Sequence, residues 1–401
     1  QQAELRAMEL GVDGESLASP SIADSWKVSL AERNVVRVLT AAELSASDIA
    51  AWSELEGRAI EPNAYMSPHF VLPALRHLDP EVPVEIWFVQ RHTGGSTQLI
   101  GACAFVSTKW SRQCPFPHVS AYRSMHSYLS GPLLDRDHAA QAIEHMLDFA
   151  RDAPGRGFAL VFPGTETSGP TASLMSGWAR RHGSHVHFVN VRSRAILVPR
   201  ESGPDALKAA LGSKFREFAR NRRKLAEAGT VKWRVTRPGG PHPAFDTFLQ
   251  LEHGGWKADG ASSLLSNPAH EAFYREMTLR FAGEGRAWFT ELSLDDRVIA
   301  SASNLISGSH GFGFKIGWNQ EYRKYGVGIL NVAELVEKAS EACSDLEYVD
   351  SCAQPGSFVE TMWSGRRQLG SLVLPFDRTG RALWRVAESA RALHERIQGN
   401  K

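Results

Sequence analysis

The chain has 401 residues, 43% of them hydrophobic and 22% charged, which excludes a disordered or fibrous protein and leaves room for two cores rather than one. Lys and Arg number 45 against 44 Asp and Glu, so the overall field gives no reason to expect nucleic acid or an acidic membrane as partner, and any such argument must rest on local charge. The four cysteines, Cys103, Cys114, Cys343 and Cys352, are scattered without a CxxC pair or a histidine at zinc spacing, which predicts buried thiols in a reducing cytoplasm and no metal site.

In chain order, residues 1 to about 32 read as a short amphipathic helix and a Gly/Ser/Pro-containing linker. No run of eighteen apolar residues occurs anywhere, so a soluble, cytoplasmic protein without a membrane span is expected. NVVRVLT (34–40) reads as a strand, followed by helical patterns near 47–59 and 67–78, strands in VEIWFVQ and QLIGACAFV, and a helix in AAQAIEHMLDFARDA. FALVFPG, a helix across PTASLMSGWARRHG, and strands in VHFVNV and RAILVP close the first half.

The second half repeats this order. A helix at 205–227 leads into VKWRVTR, helices near 244–257 and 267–282, and the strands RAWFTELSL, RVIASASNLIS and GFGFKIGW. A helix from about 328 to 344, the strand LEYVDS, a helix near 357–369 and the strand SLVLPF follow, and RALWRVAESARALHERI predicts a last helix. The order predicts an α/β (α+β) protein of two tandem units, each a mixed, mostly antiparallel sheet flanked by helices. The expected domains are 1–32, 33–199, 200–378 and 379–401. Residue identity between the halves is low, so the repeat rests on element order.

EYRKYGVGILNVAEL, residues 321–335, raises the question of function. Arg323, Gly326 and Gly328 fit R-x-x-G-x-G, and the stripe Ile329, Val332, Val336 and Ala339 predicts a helix starting at the second glycine. Successive backbone N–H groups at a helix start can cradle a diphosphate, with an arginine closing over it. A plain strand-to-helix turn fits the bare pattern equally.

The whole run GFGFKIGWNQEYRKYGVGIL resembles the strand, diphosphate loop and helix of the GNAT acyltransferase superfamily. More specifically, the chain resembles the double-domain CelD/BcsL type of GNAT protein, related to the FemAB peptidyltransferases. The resemblance is carried by GSKFREFARNRRKLAEAG, EHGGWKADG and DRVIASASNLISGSHGFGFKIGWNQEYRKYGVGILNVAELVEKA, and in outline by SPHFVLPAL and YLSGPLL. It implies two GNAT-like units with acetyl-CoA, or another acyl-CoA, bound by the second. Ile316, Gly317, Trp318, Arg323, Lys324, Tyr325, Gly326, Val327 and Gly328 are then the expected coenzyme-binding residues. In the first half, STKWSRQCPFPHVSAYRSMHSYLSGPLLD offers no such turn. That half is expected to bind no coenzyme and to wall the acceptor cleft or serve as packing partner.

Acyl transfer needs a proton acceptor, a stabilised thioester oxyanion and a departing thiol. Gly317 either marks a bulge that frees an N–H toward the cleft or merely relieves crowding. An unperturbed histidine titrates near neutrality, so His253 could take the acceptor's proton, or it could cap a helix end. Asp350 ends a strand where ligands of α/β sheets collect and is the second expected catalytic residue, orienting or relaying the proton that His253 accepts, with a solvated carboxylate as the bland alternative. Glu252, Trp256 and Lys257 are expected at the acceptor site, although simple helix-end packing suits Trp256 and Lys257 as well. Tyr322 and Tyr325 could protonate the thiolate or anchor the loop.

KFREFARNRRK, 214–224, holds six cations and one acid. Leu207, Leu211, Phe215, Phe218 and Leu225 share one helical stripe with Arg222, which predicts a docked helix with a cationic outer face. That face is solvated, or binds an anionic acceptor, or less readily RNA. The resulting expectation is an acyl-CoA-dependent N- or O-acyltransferase, acting on a polysaccharide or cell-envelope precursor as the family resemblance implies. The alternatives are a FemAB-like transferase using aminoacyl-tRNA and a non-catalytic scaffold in polysaccharide assembly.

Overall fold

A computed structural model describes residues 32–153, 155–254 and 263–399. In the first half, β1 (Glu32–Leu39) is followed by helices α1 (Ala46–Gly57) and α2 (Pro68–His77). Strands β2 (Val84–Thr93), β3 (Ser96–Thr108), β4 (His118–Ala121) and β5 (Leu133–Leu134) come next, then helix α3 (Ala139–Asp152), β6 (Ala159–Glu166), α4 (Pro170–Arg181) and β7 (His187–Leu197). The second half opens on α5 (Pro204–Leu211) and α6 (Phe215–Ala228), then β8 (Val231–Thr236), α7 (Ala244–His253) and α8 (Pro268–Gly283). It continues through β9 (Ala287–Leu294), β10 (Arg297–Ser307), β11 (His310–Trp318), α9 (Val327–Ala342), β12 (Tyr348–Asp350) and β13 (Gly365–Pro375) to α10 (Arg378–Gly399).

The predicted repeat is visible in this order, and the strands join into one sheet: β1-β2-β3-β4-β6-β13-β7-β12-β11-β10-β9-β8, with β5 on β3. The two strands that end the halves change places. β13 lies between β6 and β7, while β7 lies between β13 and β12. Each half therefore completes its sheet with a strand of the other.

The packing crosses the halves as well. One apolar cluster joins Trp52, Phe70 and Phe88 to Phe248, Phe273 and Phe281, each such buried side chain contributing about 1.5–3 kcal/mol. A second surrounds α9, with Leu207, Trp288, Leu330 and Val336.

Three expectations change. The helix expected at 205–227 breaks at Gly212, whose φ of 50° lies in the left-handed region that favours glycine. The helix expected near 357–369 shrinks to a 3-10 turn, Phe358–Thr361, because β13 begins at Gly365. Its pairing with both β6 and β7 outweighs the local helical pattern. The helix expected to reach 257 ends at His253 with Gly254 as cap.

Candidate active site

β11 pairs with β12 in parallel only from His310↔Tyr348 to Phe312↔Asp350. β12 stops there, whereas β11 runs on to Trp318 beside β10. Between Gly313 and Lys315, opposite the adjacent Asn304 and Ser303, β11 carries one extra residue, Phe314. Such a bulge bends its strand, and this one falls where the parallel pairing ends. A cleft of about 1040 Å³ opens there, walled by Ile316 and Trp318, by the chain from Cys352 to Val359, and by Tyr128 of the first half.

The mouth of the cleft is the glycine turn. Gln320–Tyr325 form a 3-10 turn, capped by the Asn319 side chain accepting from the Glu321 N–H, and Gly326 follows with φ 65° and ψ 42°. Its N–H donates to the Arg323 carbonyl at 3.0 Å, and its own carbonyl accepts the first bond of α9 from the Leu330 N–H at 3.0 Å. The N–H groups of Val327, Gly328 and Ile329 precede that bond and have no intrahelical acceptor. Arg323 is exposed, lines the cleft, and has no ion-pair partner among the described residues.

The two glycines serve different ends. A Cβ at Gly326 would meet only Ile329 Cδ1 at 4.0 Å, so the left-handed backbone is what requires glycine there. A Cβ at Gly328 would lie 3.1 Å from Trp318 Cδ1, so the indole packs on the first turn of α9. The helix starts at Val327, one residue earlier than the apolar stripe predicts. Lys324 sits over the ring of Tyr325 with Nζ 4.9 Å from its centroid. Tyr322 and Tyr325 pack on the apolar cluster around α9, which makes both of them anchors of the turn.

Gly317 is not the bulge. A Cβ there would approach the backbone nitrogen of Glu252 to 2.4 Å, so this glycine admits α7 against the strand, and the bulge lies at Phe314. Glu252 is buried; Oε2 accepts from the Leu264 N–H at 2.8 Å and Oε1 pairs with Lys315 Nζ at 3.2 Å. His253, the last residue of α7, places Nδ1 2.8 Å from Ser263 Oγ. Trp256 and Lys257 lie outside the described residues.

Asp350 is neither solvated nor open to the cleft. Its side chain is fully buried; Oδ2 accepts from Arg367 at 3.0 Å and Arg194 at 3.4 Å, and Oδ1 from the Cys352 N–H at 2.7 Å. Three donors occupy the carboxylate, so its place is to fix the chain at the end of β12 rather than to receive an acceptor's proton. Arg367 extends the network to Glu166 at 2.7 Å and Glu61 at 3.8 Å.

Sequence reasoning expected the first half to wall a cleft or serve as packing partner, but missed which residues it brings there. Tyr65 Oη donates to the carbonyl of Gly313 at 3.0 Å and lies 3.2 Å from Cys352 Sγ; Tyr128 Oη donates to the carbonyl of Phe314 at 3.3 Å. Both hydroxyls thus hold the bulge. Cys352 lines the cleft with φ 52°, and burial followed by the Asp350 charge pushes its thiol well up, away from nucleophilic use. The sequence signal for Tyr128 was YLSGPLL, but nothing local ties that segment to β11.

A family model described as an acetyltransferase (GNAT) domain matches residues 212–358. No curated protein sequence matches the chain. Among solved structures, the fold is similar to that of FemX, with a TM-score of 0.52 at 9% identity over 87% of this chain and 99% of the other. It is also similar to a conserved protein of unknown function from Bacteroides thetaiotaomicron, with a TM-score of 0.51 at 8% identity over 85% and 100%. A tandem GNAT protein from the clavulanic acid biosynthesis pathway gives 0.41 at 13% over 86% and 99%. These identities speak to the fold alone, and the matched segment contains the bulge, the glycine turn and α9. Residues 212–358 thus match a GNAT acetyltransferase domain model, within a chain whose whole fold is similar to that of FemX.

Proposed function

We propose that the chain is an acyl-CoA-dependent N- or O-acyltransferase, with acetyl-CoA as the simplest donor and a polysaccharide or cell-envelope precursor in the cytoplasm as acceptor. The observation that carries the reading is the turn. Three helix-start N–H groups and an Arg323 without an ion-pair partner among the described residues meet at the mouth of a cleft about 1040 Å³ in volume. Such donors favour a diphosphate. Val327, Gly328, Ile329 and Arg323 would hold it, and the apolar walls at Ile316, Trp318 and Val332 suit the coenzyme's arm. Bound there, the coenzyme supplies an activated thioester. The chain orients it and excludes water.

A FemAB-like transfer from aminoacyl-tRNA is the second reading, and the exposed cations Lys214, Arg216 and Arg220 favour it. Against it, Arg222 is occupied by Glu334 and Glu337 of α9, each at 2.8 Å, which uses part of the helix's charge to dock it. Calorimetric titration with acetyl-CoA and with total tRNA separates the two. Saturable binding of acetyl-CoA is expected. Binding of tRNA alone would replace the proposal with the second reading, and binding of neither would leave a scaffold.

A further inference from the structure

β11 presents two faces, and the coenzyme turn belongs to one of them. Trp318 lies against Gly328 of α9 and Ile316 packs on the same apolar cluster. On the other face, Gly317 abuts the backbone of α7 and Lys315 Nζ pairs with Glu252. A second group of polar residues gathers around Lys315. His126 comes from the first half, on the loop between β4 and β5, and His270 from the first turn of α8.

His126 is 5% exposed. Its ring stacks on Phe273 at 5.5 Å, meets His270 edge-on at 5.1 Å and lies 5.9 Å from Phe314, the bulge residue. Its backbone N–H donates to Ser124 Oγ, which shares a hydrogen bond with Ser127 Oγ, so the segment carrying it is tied down. Nε2 is buried and has no hydrogen-bond partner among the described residues. An orphaned buried nitrogen is destabilising, and native proteins keep few of them. This one stands beside the strand whose bulge opens the cleft.

The electrostatics of the group select the kind of ligand. Burial first, then the Lys315 charge and His270, push His126 down to about 3. Burial and Lys315 lower His270 as well. Both imidazoles are neutral at neutral pH, and Lys315 is compensated by Glu252. A carboxylate, phosphate or ammonium would lose its hydration beside these neutral rings, where Lys315 is already paired. A hydroxyl or an unprotonated amine loses little and finds Nε2. The nearby cleft walls Tyr128 and Phe314 are aromatic, which suits the apolar face of a sugar ring.

We propose that His126, supplied by the half that lacks the coenzyme turn, holds the nucleophilic hydroxyl or amine of a neutral sugar or amino-sugar acceptor against the thioester. This rests on the acyl-coenzyme A reading above. The acceptor's oxygen or nitrogen bonds to the thioester carbon, the carbon–sulfur bond breaks, and the acceptor's proton ends on the coenzyme sulfur as free thiol. His126 accepts a hydrogen bond through Nε2 and orients the attack without storing the proton.

The test compares the full chain with His126→Phe, which keeps the stacked ring, and His126→Asn, which keeps a polar group. Acetyl-CoA binding is measured by calorimetry, and thiol release from acetyl-CoA is followed with methyl glucoside, methyl mannoside and glucosamine, with glutamate and lysine as charged controls. Thiol release with a sugar but not with the controls is expected. His126→Phe should lower kcat/KM about 10²-fold, His126→Asn should recover part of it, and the acetyl-CoA Kd should stay at the wild-type value in both. Unchanged turnover in both variants overturns the proposal, as does a protein that binds acetyl-CoA yet acylates none of the sugars. Loss of acetyl-CoA binding in the wild type removes the underlying coenzyme reading instead, and this inference with it.

Discussion

Replacing Asp350 by asparagine separates proton transfer from positioning. The wild-type carboxylate lies between two arginines that are themselves 1% and 4% exposed, Arg194 and Arg367. In Asp350→Asn the side-chain amide oxygen would still accept from the Cys352 N–H, but Arg194 would be left with no carboxylate partner and only the Tyr128 carbonyl, 3.2 Å from Nη2. Removing one partner of a buried pair costs about 3–5 kcal/mol, because the remaining charge stays buried. Arg367 keeps Glu166, so the lower end, about 3 kcal/mol, is expected. At roughly 1–2 °C per kcal/mol for a cooperative chain of 401 residues, Tm should fall by roughly 3–6 °C. Thermal unfolding followed by circular dichroism gives the Tm, and calorimetry below the transition gives the acetyl-CoA affinity, which should hold. Adding Arg194→Met to Asp350→Asn should recover part of the loss, since the orphaned charge is gone. A Tm within about 1 °C of wild type, with turnover abolished, would refute the positioning role and return Asp350 to the chemistry.

Further outcomes are expected at the coenzyme turn and across the pH range. Gly326→Asn should retain acetyl-CoA binding, because asparagine tolerates the left-handed region, whereas Gly326→Val, strained by about 1–2 kcal/mol or more, should bind roughly tenfold more weakly while circular dichroism shows an intact fold; equal affinities would sink the diphosphate reading. Acetyl-CoA should slow amide hydrogen exchange across 316–332 and leave 101–120 without direct protection, and protection confined to the first half would reverse the assignment. Burial, first among the causes, holds His69, His118, His126, His270 and His310 below the ordinary histidine range. Their neutral forms stabilise the fold above the unfolded value, and that contribution is lost as pH falls. Tm should therefore drop between about pH 7.5 and 5, less steeply in His126→Phe; a Tm that rises over that interval contradicts this account.

What the sequence made legible was local. The turn from Arg323 to Gly328 could be read because its requirements, a left-handed residue and a helix start, are met within six positions. The element order followed from period and turn residues for the same reason. Asp350 was misplaced because its environment is set by Arg194, 156 positions away, and Arg367, 17 away, on strands whose neighbours come from opposite halves. In the sequence Gly317 fits a bulge or the relief of crowding, because a strand glycine signals either, and only the position of α7 decides for the second. Helical periodicity near 357–369 competed with a strand position that exists only once both halves are assembled. Tyr65 and His126 carried no motif and YLSGPLL tied Tyr128 to nothing local, since each contacts the backbone or a ring of a strand that lies in the other half.

The exchange of strands explains why the half without the glycine turn reaches the cleft. β12 is three residues long and pairs β11 on one side and β7 of the first half on the other. Without β7, the strand that ends in Asp350 would be an open edge, with too few hydrogen bonds to hold the divergence from β11. Arg194 arrives on β7 and Arg367 on β13, so the same exchange delivers both cations that fix Asp350. Asp350 in turn fixes the N–H of Cys352, while Tyr65 and Tyr128 fix the carbonyls of Gly313 and Phe314 across the gap. Both lips of the cleft are thus set by residues of the first half, or by a strand that half flanks. The glycine turn is the proposed anion site, but the separation of β11 from the chain beyond β12 is a property of the two halves together.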